Sequence, residues 1–219
     1  MEEKRNNQAS AAEVNDLSGQ PGGVALPKIV LASASPRRAE ILRSVGWPFE
    51  ALPAGIDETR LNGEAAATYV QRLAQTKAEA AAQKRSGHLV VGADTTVVIG
   101  DHILEKPSDH DDARRMLRQL SGEWHQVLTG IAVIGPSASE VACQTTDVKF
   151  AVMSDDEIDW YVSSGEPMDK AGAYAIQGLG ARFIEGLRGD YYNVVGMPVR
   201  LLYEMIKQVG ERSADIPSA

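Results

Sequence analysis

The run from Leu89 to Ile99 reads Leu-Val-Val-Gly-Ala-Asp-Thr-Thr-Val-Val-Ile, apolar at both ends with a carboxylate at its centre. A stretch so rich in β-branched residues, without strict in–out alternation, is a strand of the buried type. Placing Asp94 inside it is unfavourable unless the carboxylate is paired, metal-bound or chemically employed. Asp94 is therefore a candidate general base or metal ligand; a structural Asp hydrogen-bonded in a bulge is the alternative.

Around that run the chain alternates strand-like and helix-like segments, which predicts an α/β fold. Residues 28–33 form a short apolar strand. Ser35 then sits as an N-cap, with Pro36 at the first helical position and Ile41, Leu42 and Val45 at helical spacing up to Gly46. A second helix covers about 64–84. Ser108 and Asp111 predict a capping box for a helix carrying Ala113, Met116, Leu117 and Leu120, stopped by Gly122. Residues 124–134 and 140–152 predict a hairpin, and Ser154 with Glu157 caps a helix reaching about Ser163. Strands are expected near 173–177, 181–186 and 191–195, then a last helix from Pro198. Residues 1–27, rich in Asn, Gln, Ser, Ala and Gly without an apolar period, are expected to be a disordered extension. The folded domain then spans 28–209, and 210–219 form a loose tail.

Composition narrows the partners. The 219 residues are 43% hydrophobic and 24% charged, which is globular and excludes rods and wholesale disorder. With 30 acids against 22 bases the net charge is −8, so the chain has no sequence-independent grip on nucleic acid. Bases that hold an anionic ligand must be clustered locally. The single Cys143 excludes an internal disulfide framework and fits a reducing compartment. No apolar run approaches the ~18 residues of a membrane span. The opening Met-Glu-Glu-Lys-Arg begins no signal-peptide core, so a cytoplasmic protein is expected.

Three further features bear on chemistry. Ser33-Ala34-Ser35-Pro36-Arg37-Arg38 joins a strand end to a helix start, where free N–H groups and the helix dipole favour an anion. Arginines in a first helical turn oppose the dipole, and they make sense if a phosphate sits there. A solvated basic turn or a Ser-Pro-Arg-Arg phosphorylation site is the alternative. Second, Lys77 continues the apolar stripe of Val70 and Leu73, so its ammonium points to the core side and needs a partner unless it snorkels. Third, Glu105-Lys106-Pro107 places Lys106 at a strand exit near the same sheet end, while Asp57-Glu58 lie in a loop that would supply a second carboxylate to Mg²⁺. There is no P-loop, no zinc spacing among His88, His102, His110 and His125, and no nucleophile elbow or kinase signature.

Taken in order, these motifs resemble the Maf family of nucleoside triphosphate pyrophosphatases. The matching stretches are Leu31–Arg38, Gly92–Thr95, Glu105–Pro107, His125–Gly130, Asp169–Tyr174, Ile176–Gly178 and Asn193–Pro198. The chain departs from the family pattern at Ala175 (usually Gly), Asp190 (usually Ser) and Thr96 (usually aliphatic).

The resemblance implies a mixed α/β fold similar to the inosine triphosphatase-like proteins, with a twisted sheet, flanking helices and two lobes around a cleft. It also implies a homodimer and a divalent cation, Mg²⁺ or Mn²⁺. The implied reaction is hydrolysis of a nucleoside triphosphate to the monophosphate and pyrophosphate. By matching position, Asp94 is the proton acceptor and Ser33, Arg38, Lys77 and Lys106 bind or neutralise phosphate. Glu58, with Asp94, is implied for the metal. Arg37, Thr95 and Gln177 match the branch acting on dTTP and UTP. The rivals are the 7-methyl-GTP branch, typically with Trp and Gln in place of Arg37 and Thr95, and a non-catalytic regulator of septum formation.

Overall fold

The computed structural model describes residues 26–214. The chain runs β1 (Ile29–Leu31), α1 (Pro36–Ser44), β2 (Phe49–Ala51), α2 (Ala66–Ala82), β3 (Leu89–Ile99), β4 (His102–Leu104), α3 (His110–Leu120), β5 (Trp124–Ile134), β6 (Ser139–Phe150), α4 (Asp155–Ser163), β7 (Ile184–Arg188), α5 (Tyr191–Val195) and α6 (Val199–Ala214). All strands join one seven-stranded mixed sheet of order β2-β1-β3-β5-β6-β7, with β4 added to β3. The β1–β2 and β1–β3 pairs are parallel and the others antiparallel.

The pairing of β3 creates the opening that matters for function. Along one edge β5 pairs with it from Val90 to Val98. Along the other, β1 takes Leu89–Val91 and β4 takes Val97–Ile99. Between these two short partners, Gly92 to Thr96 have no strand neighbour on that edge. The backbone groups exposed there need other partners.

One face of the sheet is covered by α2, and two glycines set how closely. A Cβ on Gly92 would lie 2.0 Å from the carbonyl oxygen of Ala74, and one on Gly130 would lie 2.3 Å from that of Val70. Gly130 pairs with Asp94 in the ladder, so the helix backbone descends onto the sheet where the carboxylate stands. Small Ala74 and Ala78 complete the close approach. The other face carries two apolar cores. One joins β1, α1 and α6 through Leu31, Leu42, Ile131, Met197 and Met205. The second joins α3 and α4 to the far end of the sheet through Leu117, Phe150, Ile158 and Tyr161. The cleft lies between these two lobes.

The α/β class, the β5–β6 hairpin and the Ser154–Glu157 capping box match the sequence reading. Four details are corrected. The cap of α3 is Asp109, whose carboxylate accepts from the N–H of Asp112 at 2.8 Å; a charged acceptor displaces the expected Ser108–Asp111 box by one residue. Of the three strands expected between 173 and 195, only Ile184–Arg188 forms. Ala171–Ala173 and Gly178–Phe183 are 3₁₀ turns, shaped by positive φ at Gly172 (70°), Ala173 (59°) and Gly178 (70°). Residues 191–195 are the helix α5, because Asp190 accepts from the N–H groups of Tyr192 (2.7 Å) and Asn193 (3.3 Å). Finally, α6 continues through Gly210 to Ala214, where a loose tail was expected from 210; the rest of that expected tail, 215–219, lies outside the described residues. The expected N-terminal extension also lies outside them up to residue 25; Leu26 packs against the first core, and the Pro27 carbonyl accepts from the Trp47 indole at 3.1 Å.

His125 gives the second core a pH dependence. It is 2% exposed, lies edge-on to Phe150 and Tyr174, and has its Nε2 2.8 Å from the Tyr174 hydroxyl. Burial lowers its pKa from 6.5 to about 4. The unfolded chain therefore binds the extra proton first, and the stability of the neutral ring, complete above pH 6.5, is lost as pH falls through about 4. A loss of about 3 kcal/mol is expected from this one group. Urea unfolding at pH 7 and pH 4 measures it, and His125→Gln should flatten the difference.

Candidate active site

The open stretch of β3 is the floor of a cleft of ≈ 690 Å³. All nine residues singled out from the sequence line it: Ser33, Arg37, Arg38, Glu58, Lys77, Asp94, Thr95, Lys106 and Gln177.

Lys77 stands on the buried side of α2, where the helix lies closest to β3. Its Nζ is 2.7 Å from Asp94 Oδ1 and 2.9 Å from Glu58 Oε1. The ammonium is thus paired, and it does not snorkel: the residue is 7% exposed. Burial pushes the Asp94 carboxyl above the usual carboxylate range, against the opposing pull of Lys77 and Arg38. A carboxylate held in this way has raised basicity while remaining next to a cation that stabilises its ionised form.

Arg38, in the first turn of α1, reaches into the gap between β1 and β4. Its Nε donates to the Gly196 carbonyl at 2.8 Å, and its Nη1 donates to Ser33 Oγ at 3.1 Å and to the Ala93 carbonyl at 3.0 Å. Its Nη2 donates to Thr95 Oγ1 at 3.0 Å. The guanidinium therefore satisfies the open edge of β3 and spends four of its five N–H groups on the protein. This framing work was not legible in the sequence, because Gly196 is 158 residues away.

A hydroxyl chain continues from it. Thr129 Oγ1 donates to the Asn193 carbonyl at 3.0 Å, which uses its only hydrogen. The 2.9 Å bond between Thr95 and Thr129 must then run from Thr95 to Thr129. With Arg38 donating to it and its own hydrogen committed, Thr95 Oγ1 has only a lone pair left to offer.

At the N-terminus of α1, the Ser35 hydroxyl makes no capping bond, and the Ser35 N–H donates to Ser33 Oγ at 3.2 Å. Arg37 and Lys106 line the cleft without an ion pair among the described residues. Gln177 is exposed and also lines the cleft.

Residue-by-residue reading missed Tyr69, Glu105 and Lys170, which also line the cleft. The Tyr69 hydroxyl lies 2.9 Å from the Glu58 carbonyl and 3.0 Å from Glu105 Oε1, tethering the loop that carries Glu58. Lys170 pairs with Asp169 at 2.5 Å. The signal for Glu105 and Lys170 was position within the motifs Glu105–Pro107 and Asp169–Tyr174; Tyr69 lies in none of the motifs and carried no such signal.

In total, five bases and five acids line the cleft, so it is not a simple anion trap. Among the described residues no group of three or more His, Cys, Asp or Glu forms a metal cage. Asp94 and Glu58 nevertheless each commit one oxygen to Lys77 and, among the described residues, make no hydrogen bond with the other. Two hard carboxylates of this kind fit Mg²⁺ or Mn²⁺, which fill the rest of their shell with phosphate and water.

Curated relatives show similarity over most of the chain. A dTTP/UTP pyrophosphatase of Koribacter versatilis (strain Ellin345) is 50% identical over 182 residues, covering 83% of this chain and 94% of its own. One from Symbiobacterium thermophilum is 47% identical over 185 residues, covering 84% of this chain and 95% of its own. Among solved structures, the Staphylococcus aureus Ham1 protein is similar over 83% of this chain and 90% of its own, at 17% identity and a TM-score of 0.45. The family described as Maf-like protein matches residues 28–209, the span that holds both lobes and every residue of the cleft, and the chain belongs to that family.

Proposed function

We propose that this protein hydrolyses dTTP and UTP to the nucleoside monophosphate and pyrophosphate, with Asp94 as the general base. The observation that carries the reading is the group of buried Asp94 and Lys77 with exposed Glu58, in one cleft with Arg37 and Lys106, which make no ion pair among the described residues. The names of the relatives support the substrate class.

Asp94 takes the proton of the attacking water, and Lys77 keeps the carboxylate ionised for that task. Arg37, Lys106, the Ser33 hydroxyl and the free N–H groups of α1 hold the triphosphate. Arg38 adds its charge and one remaining N–H while fixing Ser33 and Thr95. A triphosphate carries about four negative charges, and such transfers are catalysed mainly by positioning and charge neutralisation. Asp94 and Glu58 would hold a divalent cation brought with the nucleotide, which neutralises phosphate charge when bound. A substrate carrying phosphates and a cation matches a cleft lined by both signs.

Base choice follows from hydrogen-bond polarity. The Thr95 lone pair suits the imide N–H of thymine or uracil, as does the Gln177 amide, which offers one acceptor and one donor face. Cytosine lacks that N–H and would leave a group unpaired. The Arg37 guanidinium repels the cationic base of 7-methyl-GTP. The same ionised carboxylate–ammonium pair disfavours the non-catalytic septum regulator, which has no use for a buried base. A single cysteine supports a cytoplasmic setting, and exposed Trp124, Trp160, Tyr191 and Tyr192 offer surface for a homodimer.

Assay of pyrophosphate release with Mg²⁺ or Mn²⁺ across a nucleotide panel tests the reading. The expected order is dTTP and UTP well ahead of CTP, ATP and 7-methyl-GTP. Hydrolysis of 7-methyl-GTP as fast as dTTP would overturn the base assignment, and no release from any triphosphate would overturn the enzyme.

A further inference from the structure

Glu166 lies outside the lining of the cleft, yet it holds the loop from which Gln177 projects. Its carboxylate accepts from the Tyr161 hydroxyl at 2.8 Å and from the backbone N–H groups of Leu179 and Gly180, each at 3.0 Å. The same Tyr161 hydroxyl accepts from the N–H of Ala175 at 3.2 Å. N–H groups on both sides of Gln177 are therefore pinned to one pair, buried Tyr161 and half-buried Glu166. Room for the carboxylate comes from Gly178: a Cβ there would lie 2.4 Å from Glu166 Oε2, and its φ of +70° already favours glycine. The opposite end of the acid's own turn is tied too, since Lys170 Nζ donates to the Glu166 carbonyl at 2.6 Å. Bonds to an ionised acceptor are about twice as strong as neutral ones.

Gln177 itself is exposed, and its amide makes no hydrogen bond among the described residues. A side chain with no anchor of its own can discriminate between bases only if the backbone beneath it is fixed. Discrimination by hydrogen bonding needs the donor and acceptor held within a few tenths of an ångström.

From this geometry we infer that Glu166 is a positioning residue for base selection: with Tyr161 it clamps the 175–180 loop so that the Gln177 amide meets the pyrimidine edge. The inference rests on the reading of Gln177 as a base contact. It assigns Glu166 no contact with the substrate.

The test compares kcat/KM for UTP and CTP in wild type, Glu166→Gln, Gln177→Ala and the double variant. Glu166→Gln keeps the side-chain shape but removes the charge and replaces one acceptor with a donor. The UTP-over-CTP ratio is expected to fall about tenfold, the equivalent of one lost hydrogen bond. It should reach the level of Gln177→Ala, with no further fall in the double variant. A wild-type ratio in Glu166→Gln, or additive losses in the double variant, overturns the clamp while leaving Gln177 as the base contact. A wild-type ratio in Gln177→Ala overturns the underlying reading of Gln177 and the clamp with it. Tyr161→Phe covers the case in which Glu166→Gln does not fold. It keeps the core packing, frees the Ala175 N–H, and should lower the ratio part of the way, again with no effect on top of Gln177→Ala; an unchanged ratio there overturns the clamp.

Discussion

Asp94→Asn is expected to lower kcat by about 10²–10⁴-fold, the range that general-base catalysis supplies. The amide is nearly isosteric, and its oxygen can still accept from Lys77, so the 2.7 Å contact and the fold should persist. What is lost is the ability to take a proton from water. Because burial raises the Asp94 pKa, the acid limb of kcat/KM in wild type should lie above the ordinary Asp value of about 3.9. Steady-state kinetics and thermal melts on one preparation check both parts. An Asn variant with near wild-type kcat would make Asp94 a structural residue.

Lys77→Met is expected to lose about 10²-fold or more in kcat, comparable to removing one preorganised donor from a charged transition state. Sequence alone presents this lysine as an ammonium on the core side that needs a partner. The structure supplies two, because Lys77 neutralises Asp94 and Glu58 at once. Deleting one partner of a buried pair leaves the other uncompensated. Asp94 escapes part of that penalty by taking up a proton, so the stability loss should be about 1–3 kcal/mol. The protonated acid is no longer a base, which compounds the kinetic effect. Activity in the Met variant should recover partly at higher pH, where Asp94 ionises again; a pH–rate profile superimposable on wild type would contradict the coupling.

The chemistry was more legible in the sequence than the connections that position it. Asp94 and Lys77 stood out because each breaks an apolar pattern, and a broken pattern is a local signal. Their contact depends on Gly92 and Gly130 letting α2 descend onto the sheet, and nothing near Lys77 announces it. Arg38 was recognised as a misplaced charge at a helix start, but its bonds run to Ala93, Thr95 and Gly196, so its work as a frame was hidden. Residues 173–177 and 191–195 were misread as strands for a related reason. They have β propensity, but positive φ at Gly172, Ala173 and Gly178, the Glu166 clamp and the Asp190 cap override it. Those determinants are distant contacts or single backbone angles, which a pattern of apolar residues does not encode.

The central claim is that this cleft cleaves between the α and β phosphates of a pyrimidine triphosphate with Asp94 as base. Product analysis of dTTP turnover, run side by side with Asp94→Asn, tests it most directly. The expected result is dTMP and pyrophosphate in equal amounts from wild type and almost none from the variant. Formation of dTDP and orthophosphate, or equal turnover by the two proteins, would contradict it.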